Sequence, residues 1–391
     1  MYTLRPYQKQ ASDAAVRAFI SKTKKNGLLV LPTGAGKSVV IADIASRLDT
    51  PLLVFCPSKE IVEQNYAKMQ SYGINDCGIY SASVGCKEIR RITFATIGSV
   101  MNHMEDFQYF KYVIVDECHL VNAKGGMYYD FINACERQVI GLTATPYRLG
   151  RGMNGTSMLK FLTRTRPRVF EEVLFYCQVS ELLAKGFLAD LQYFDCTRLD
   201  MTRVMSNSTG NDFDENSLKM EYQRSGFYDQ LTSTTLRVLK PRSGIPRRGI
   251  LVFTRFVEES ENLRDKLLFK GICSAIVTGE TPKREREDIL ERFKDGTIKV
   301  VCNVGTLTTG FDYPALDTII MARPTKSLSL WYQCVGRAIR PCQGKDGWVI
   351  DLGGNYQRFG KVSDLKIDKE VQGSSRWCIK SLGKQLTNVM Y

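Results

Sequence analysis

Two short runs hold residue types that can do phosphate chemistry. GLLVLPTGAGKS, from Gly27 to Ser38, is an apolar run followed by Pro32, Thr33 and two glycines, Gly34 and Gly36, framing Ala35, then Lys37 and Ser38. Glycines let backbone N–H groups turn inward around phosphate oxygens, a lysine reaches the outer phosphates, and a hydroxyl can ligate Mg²⁺. The strict form of this pattern has a glycine where Leu31 stands, so a Gly-Lys-Ser in an ordinary turn is the alternative. A second nucleotide motif decides between them. YVIVDECH at 112–119 is a buried-strand pattern ending in two acids. Asp116 at a strand tip can hold the Mg²⁺ shell opposite Ser38, and Glu117 can orient and deprotonate an attacking water. Cys118 and His119 could instead form a thiol–imidazole pair, but sequence neighbours rarely face each other and no orienting group is evident.

These residues need a rigid frame, and the sequence offers one. Apolar runs at 28–31, 52–56, 92–96, 112–117 and 139–145 alternate with segments of helical period, and the alternation resumes at 250–254, 274–279, 298–303, 317–322 and 348–353. Such alternation means parallel sheets covered by helices. Two series predict two α/β domains, spanning 1–180 and 181–365, with a basic tail over 366–391. Between the series, 147–170 is rich in Arg and Gly, 200–228 is polar, and LKPRSGIPRRG at 239–249 reads as a linker.

Lys and Arg number 54 against 41 Asp and Glu, a net charge of +13, so a polyanion such as nucleic acid is the expected partner. A merely soluble basic protein would carry a similar charge. The 12 cysteines stand singly, with no C-x-x-C pair, and there are only two histidines, so neither a zinc site nor a disulfide framework is visible. Cys56 and Cys302 lie in apolar stretches, as free thiols do in a reducing compartment. No apolar run reaches the ~18 residues that would span a bilayer, so a cytoplasmic chain without membrane partners is expected.

Taken together, the motifs resemble those of superfamily 2 helicases and translocases, in the D-E-x-H box group, over roughly residues 2–355. PTGAGKS at 32–38 resembles motif I in the form this superfamily uses, and DECH at 116–119 resembles motif II. LRPYQ at 4–8 resembles the adenine-reading motif, which implies Arg5 against the base and Gln8 offering its amide to it. TATP at 143–146 resembles motif III, FTRF at 253–256 motif IV, TTGFD at 308–312 motif V and QCVGRAIRP at 333–341 motif VI. The resemblance implies two tandem RecA-like domains with parallel sheets flanked by helices. ATP and Mg²⁺ are the implied cofactors, with Gly310 and Asp312 also near the nucleotide. CPSKEIVEQN at 56–65, ATIGSV at 95–100 and TGETP at 278–282 resemble strand–loop–helix segments that hold a nucleic-acid strand. Ser58, Thr96, Thr254, Thr278 and Thr308 are therefore candidate phosphate contacts, helix capping being the alternative. Arg148, Arg151, Lys160, Arg164, Arg166 and Arg168 could extend that track, or form a solvated loop.

Arg337 and Arg340, at i and i+3, would share one face of a helix with Gln333 one turn earlier. By analogy they are arginine fingers that stabilise the charge on a leaving γ-phosphoryl. More narrowly, the motifs resemble bacterial RadD-like DNA-repair ATPases and their phage-borne relatives, without the cysteine-rich zinc-binding extension of that group. This implies DNA rather than RNA as substrate, with repair or recombination proteins as partners. The alternatives are the motor subunit of a restriction system, an RNA helicase, or a non-catalytic ATP-gated clamp.

Overall fold

The computed structural model describes residues 3–134, 137–151, 157–241, 244, 246–308 and 311–389. The chain divides into two compact units. The first gathers Met1–Arg148, Leu159–Glu181 and Lys366–Val389, and the second Leu149–Met158 and Leu182–Leu365.

The first unit is built on an eight-stranded sheet. From edge to edge its strands are Glu172–Tyr176, Gly27–Val30, Gln138–Thr143, Tyr112–Asp116, Leu52–Phe55, Ile92–Ala95, Cys77–Ser81 and Cys86–Lys87. All neighbours are parallel except the last pair. Central strands such as LLVF at 52–55 and QVIGLT at 138–143 are buried along their whole length, because helices cover both faces. A parallel sheet brings all its strand carboxyl ends to one edge, where ligands bind in folds of this kind. That edge carries both the 31–37 loop and the 116–119 turn.

The second unit holds a six-stranded, wholly parallel sheet in the order Leu191–Asp195, Gly347–Asp351, Thr318–Met321, Ile250–Phe253, Val300–Asn303 and Ser274–Val277. The polar stretch 200–228 is part of its core rather than a connection. The helices Glu215–Ser225 and Phe227–Leu239 bury Leu218, Tyr222, Phe227 and Leu231, with the Tyr222 and Phe227 rings stacked at 4.1 Å.

Two expectations are corrected here. The 239–249 stretch is no loose linker at its end, because Arg247 is buried. Its guanidinium donates to Thr318 Oγ1 at 2.8 Å and the Asp317 carbonyl at 3.0 Å, and lies 4.2 Å over the Trp348 ring. A charge this deep is held by the hydrogen bonds it makes. Nor is the C-terminal stretch a tail. Leu365–Lys369, Trp377–Ser381 and Lys384–Gln385 form a three-stranded sheet. Gln178 of the first unit both donates to and accepts from Ile367, and Asn388 ties Phe161, Glu370 and Trp377 together. The alternation of Leu365 and Ile367 inward with Lys366 and Asp368 outward is the strand signal beneath the basic composition. Among the described residues, no helix is long and apolar enough to cross a membrane.

Candidate functional site

The phosphate loop is shaped by its glycines. Gly34 and Gly36 have φ of 82° and 81°, a left-handed conformation that costs glycine little and other residues more. Gly36 caps the helix Lys37–Ser46, its carbonyl accepting from the Val39 and Val40 N–H groups at 3.0 and 3.3 Å, and the N–H groups at such a helix start form an anion-binding end. The loop is braced from the N-terminal helix Pro6–Ile20. Tyr7 Oη and Gln8 Nε2 both donate to the Ala35 carbonyl, at 2.8 and 2.9 Å. Gln8 Oε1 accepts from the Arg5 backbone N–H at 2.9 Å. The Gln8 amide, expected to face a nucleobase, is thus engaged at both ends by backbone and is 6% exposed. Arg5 stands half-buried at the start of that helix, and Thr33 and Ala35 are buried in the loop.

Across the same sheet edge, Lys37 Nζ makes an ion pair with Glu117, both side chains 14% exposed. Glu117 has φ 50° and ψ 47°, a left-handed backbone that costs a non-glycine residue about 1–2 kcal/mol and turns its carboxylate toward the loop. Burial pushes the Glu117 carboxyl up, but Lys37 and then His119 outweigh it and hold the acid well below the usual range. Its neighbour Asp116 is buried. Its two oxygens accept from the Glu117 N–H at 2.9 Å and from Asn65 Nδ2 at 3.3 Å. Burial pushes Asp116 up to about 6, against the pull of Lys37. A carboxylate so poorly compensated, with the Ser38 hydroxyl in the first turn of the facing helix, suits Mg²⁺, which takes one or two protein oxygens and fills its shell with phosphate and water. The residues present therefore fit a Mg²⁺–polyphosphate.

His119 and Cys118 point apart. His119 Nδ1 lies 3.0 Å from Thr143 Oγ1 and 3.3 Å from Glu117, linking the 116–119 turn to TATP. Cys118 is fully buried, and a Cβ added to Gly141 would meet its sulfur at 2.5 Å. The thiol–imidazole alternative has no geometric basis. Asn65, Tyr7 and Thr143 complete the site; Tyr7 and Thr143 lie inside LRPYQ and TATP and Asn65 inside CPSKEIVEQN, but no spacing in the sequence assigns any of the three its partner.

A cavity of about 590 Å³ opens beside this site in the first unit, lined among others by Ser58, Lys59, Ser83, Lys87, Thr96 and His103. Ser58 precedes the helix Lys59–Ser71 and Thr96 the helix Ile97–Met101, yet neither side chain caps its helix. Thr96 Oγ1 instead lies 2.9 Å from Ser99 Oγ and 3.1 Å from Ser81 Oγ. The hydroxyls and two lysines around one opening are what a phosphate backbone would meet. Of the basic strip, Arg148 is committed to the Leu120 carbonyl at 2.8 Å, whereas Arg166 and Arg168 are exposed. The Arg151 side chain lies outside the described residues.

In the second unit the arginines are held otherwise than expected. The helix Leu328–Val335 carries Gln333 but stops at Val335, leaving Arg337 in a turn and Arg340 in a bend. They share no helical face, because Gly336 closes the helix. They converge through the 311–312 loop: both guanidiniums donate to the Phe311 carbonyl, at 2.9 and 3.2 Å, and Arg340 pairs with Asp312. Thr254 is corrected outright. It is fully buried, bonded to Ser260 Oγ at 2.7 Å and to the Asn303 carbonyl at 3.3 Å, so it offers nothing to a strand on the surface. Thr278 accepts from the Glu280 N–H at 3.1 Å in a local turn, and Thr308 is half-buried. Gly310 lies outside the described residues.

Two family profiles match the chain. Residues 1–148 match the type III restriction enzyme res subunit, and residues 234–342 match the helicase conserved C-terminal domain. A Lactococcus phage protein of 51.5 kDa is 26% identical over 336 residues, covering 84% of this chain and 66% of that one. The DNA 3'-5' translocase XPB2 of Sulfurisphaera tokodaii is 25% identical, covering 89% of this chain and 81% of that one. The chain spans only part of other relatives, such as 50% of a Saccharomyces cerevisiae protein 25% identical over 368 residues. Among solved structures, the type ISP restriction-modification enzyme LlaBIII bound to DNA has a TM-score of 0.67 at 19% identity, over 90% of this chain and 28% of that one. Yeast Dbp5 bound to RNA and ADP BeF3 has 0.59 at 16%, over 91% and 92%. At these identities the solved structures speak for the fold alone. With both profiles in sequence order on two parallel α/β sheets, the chain carries the paired RecA-like domains of a superfamily 2 helicase.

Proposed function

We propose that this protein is a nucleic-acid-stimulated ATPase that moves along DNA, using hydrolysis to drive translocation or strand opening. The observation that carries the reading is the Lys37–Glu117 pair beside buried Asp116 at the carboxyl edge of the first sheet. A β/γ-phosphate competes with Glu117 for Lys37, freeing the carboxylate to orient and deprotonate water. Mg²⁺, held by Asp116 and Ser38, would neutralise charge on the phosphates. Arg337 and Arg340, with Gln333 nearby, supply guanidinium charge as the γ-phosphoryl departs, and Gly310 and Asp312 belong to the segment that accompanies them. Ser58, Thr96, Thr278 and Thr308 grip the strand. The net charge of +13 supports a polyanionic track.

The narrower reading, a repair or recombination motor like the RadD-like ATPases with protein partners of that pathway, rests on the motif wording alone. The match of residues 1–148 to a restriction subunit favours a second reading, the motor of a restriction system. ATP turnover titrated with single-stranded, duplex and forked DNA and with RNA tests the proposal. DNA should raise the rate more than RNA, and a rate unchanged by every polynucleotide would remove the motor reading. A restriction motor would require duplex DNA and respond little to single strands.

A further inference from the structure

The helix that should hold the arginines ends at Val335, so another group must fix the segment that carries Arg340. Side chains do so from the front, where Arg337 and Arg340 meet the Phe311 carbonyl. From behind, Lys345 Nζ donates to the Arg340 carbonyl at 2.8 Å and to the Pro314 carbonyl at 3.0 Å. One ammonium thus ties together the same two backbone segments that the guanidiniums join. The stretch 341–347 on which it sits borders a cavity of about 600 Å³ facing 186–192, so side-chain packing from that direction is sparse. Charge-assisted donors of this kind are strong, and the Arg340 carbonyl, part-buried where the Pro314 carbonyl is exposed, loses more than an average hydrogen bond when deprived of its donor.

We propose that Lys345 is a positioning residue of the ATPase, its ammonium bridging the Arg340 and Pro314 carbonyls so that the Arg340 guanidinium is presented at a fixed reach. The inference rests on the reading of Arg340 as the group that stabilises the leaving γ-phosphoryl. Misplacing a catalytic group by 1 Å can cost about 10²-fold in rate, so a backbone anchor two carbonyls wide has kinetic weight.

The test is a double-mutant cycle in the full chain, with kcat and KM for ATP measured at saturating polynucleotide and thermal unfolding followed beside them. Lys345→Met should lower kcat about tenfold while KM stays within about threefold, and Lys345→Arg, which keeps the donors, should recover most of it. Arg340→Ala should lose at least as much, and the double variant should fall no further than Arg340→Ala alone. Wild-type kcat in Lys345→Met, or losses that multiply in the double variant, would overturn the inference. Wild-type kcat in Arg340→Ala would instead overturn the reading of Arg340, and the inference with it. Should Lys345→Met fail to fold, Lys345→Ala, which likewise removes the donor, takes its place in the same cycle under the same criteria.

Discussion

Lys37 and Glu117 neutralise each other across the carboxyl edge of the first sheet, one from the phosphate loop and one from the end of the strand Tyr112–Asp116. The pair places the proposed phosphate ligand and the proposed base within a single contact. Lys37→Ala should therefore abolish ATP turnover and weaken nucleotide binding, whereas Glu117→Gln should bind ATP and fail to split it. Nucleotide binding by fluorescence beside steady-state hydrolysis separates the two. Near-normal hydrolysis in either variant would remove that residue from its role.

The brace on the loop makes a separate forecast. A Cβ at Gly36 would sit 2.6 Å from Gln8 Nε2, and the backbone there has φ +81°. Gly36→Ala should weaken ATP binding through both the collision and the conformation. Adding Gln8→Ala relieves only the first, so the double variant should still bind worse than Gln8→Ala alone, by about 1–2 kcal/mol. Full recovery in the double variant would show that the collision alone matters.

For the first-unit cavity, salt dependence is the discriminating measurement. If Lys59 and Lys87 meet phosphates, Lys59→Ala and Lys87→Ala should each weaken DNA binding and reduce the slope of log K against log salt by about 1. Slopes equal to wild type would place the strand elsewhere.

A buried acid in the second unit predicts a pH effect on stability. Glu259 is fully buried at the start of the helix Val257–Leu268, where its Oε1 accepts from the Phe256 N–H at 3.1 Å and from the Arg255 N–H. Burial pushes its carboxyl up to about 8, more than these donors lower it. The native state then holds a proton that the unfolded chain releases above its ordinary value, so stability is lost as pH rises from about 4.5 through about 8. Glu259→Gln should flatten that stretch of the stability profile and gain on the order of 2 kcal/mol relative to wild type at pH 9. Urea melts at stepped pH report it, and an unchanged slope would contradict the assignment.

Most interior strands were legible because continuous apolar runs such as LLVF and YVIVD are dictated by burial on both faces, and the edge strand Ser274–Val277 was read with them. The interior strand Cys77–Ser81, with Gly78 and Ser81 in it, and the other edge strands were not. Glu172–Tyr176 is half-buried along most of its length and Leu191–Asp195 buries only Leu191, so neither carries the run that marks a parallel strand. The residue types of the proposed nucleotide site were readable in another sense: the phosphate chemistry proposed for Lys37, Asp116 and Glu117 calls for those side chains, and the fold brings the three to one sheet edge. What spacing could not reveal is where a helix stops. Arg337 and Arg340 keep helical spacing in the sequence, but Gly336 ends the helix before them. Thr254 looked like a surface donor because a threonine at a strand end serves equally well inside, bonded to Ser260. Gln8 was read toward a base, and only the fold shows that the Ala35 carbonyl receives its amide together with the Tyr7 hydroxyl.

The shared acceptor of Arg337 and Arg340 is a main-chain carbonyl, and that has an evolutionary consequence. No substitution at position 311 can delete it. Any side chain that fills the place of Phe311 against Phe293 and Tyr313 would leave the acceptor common to both arginines in place.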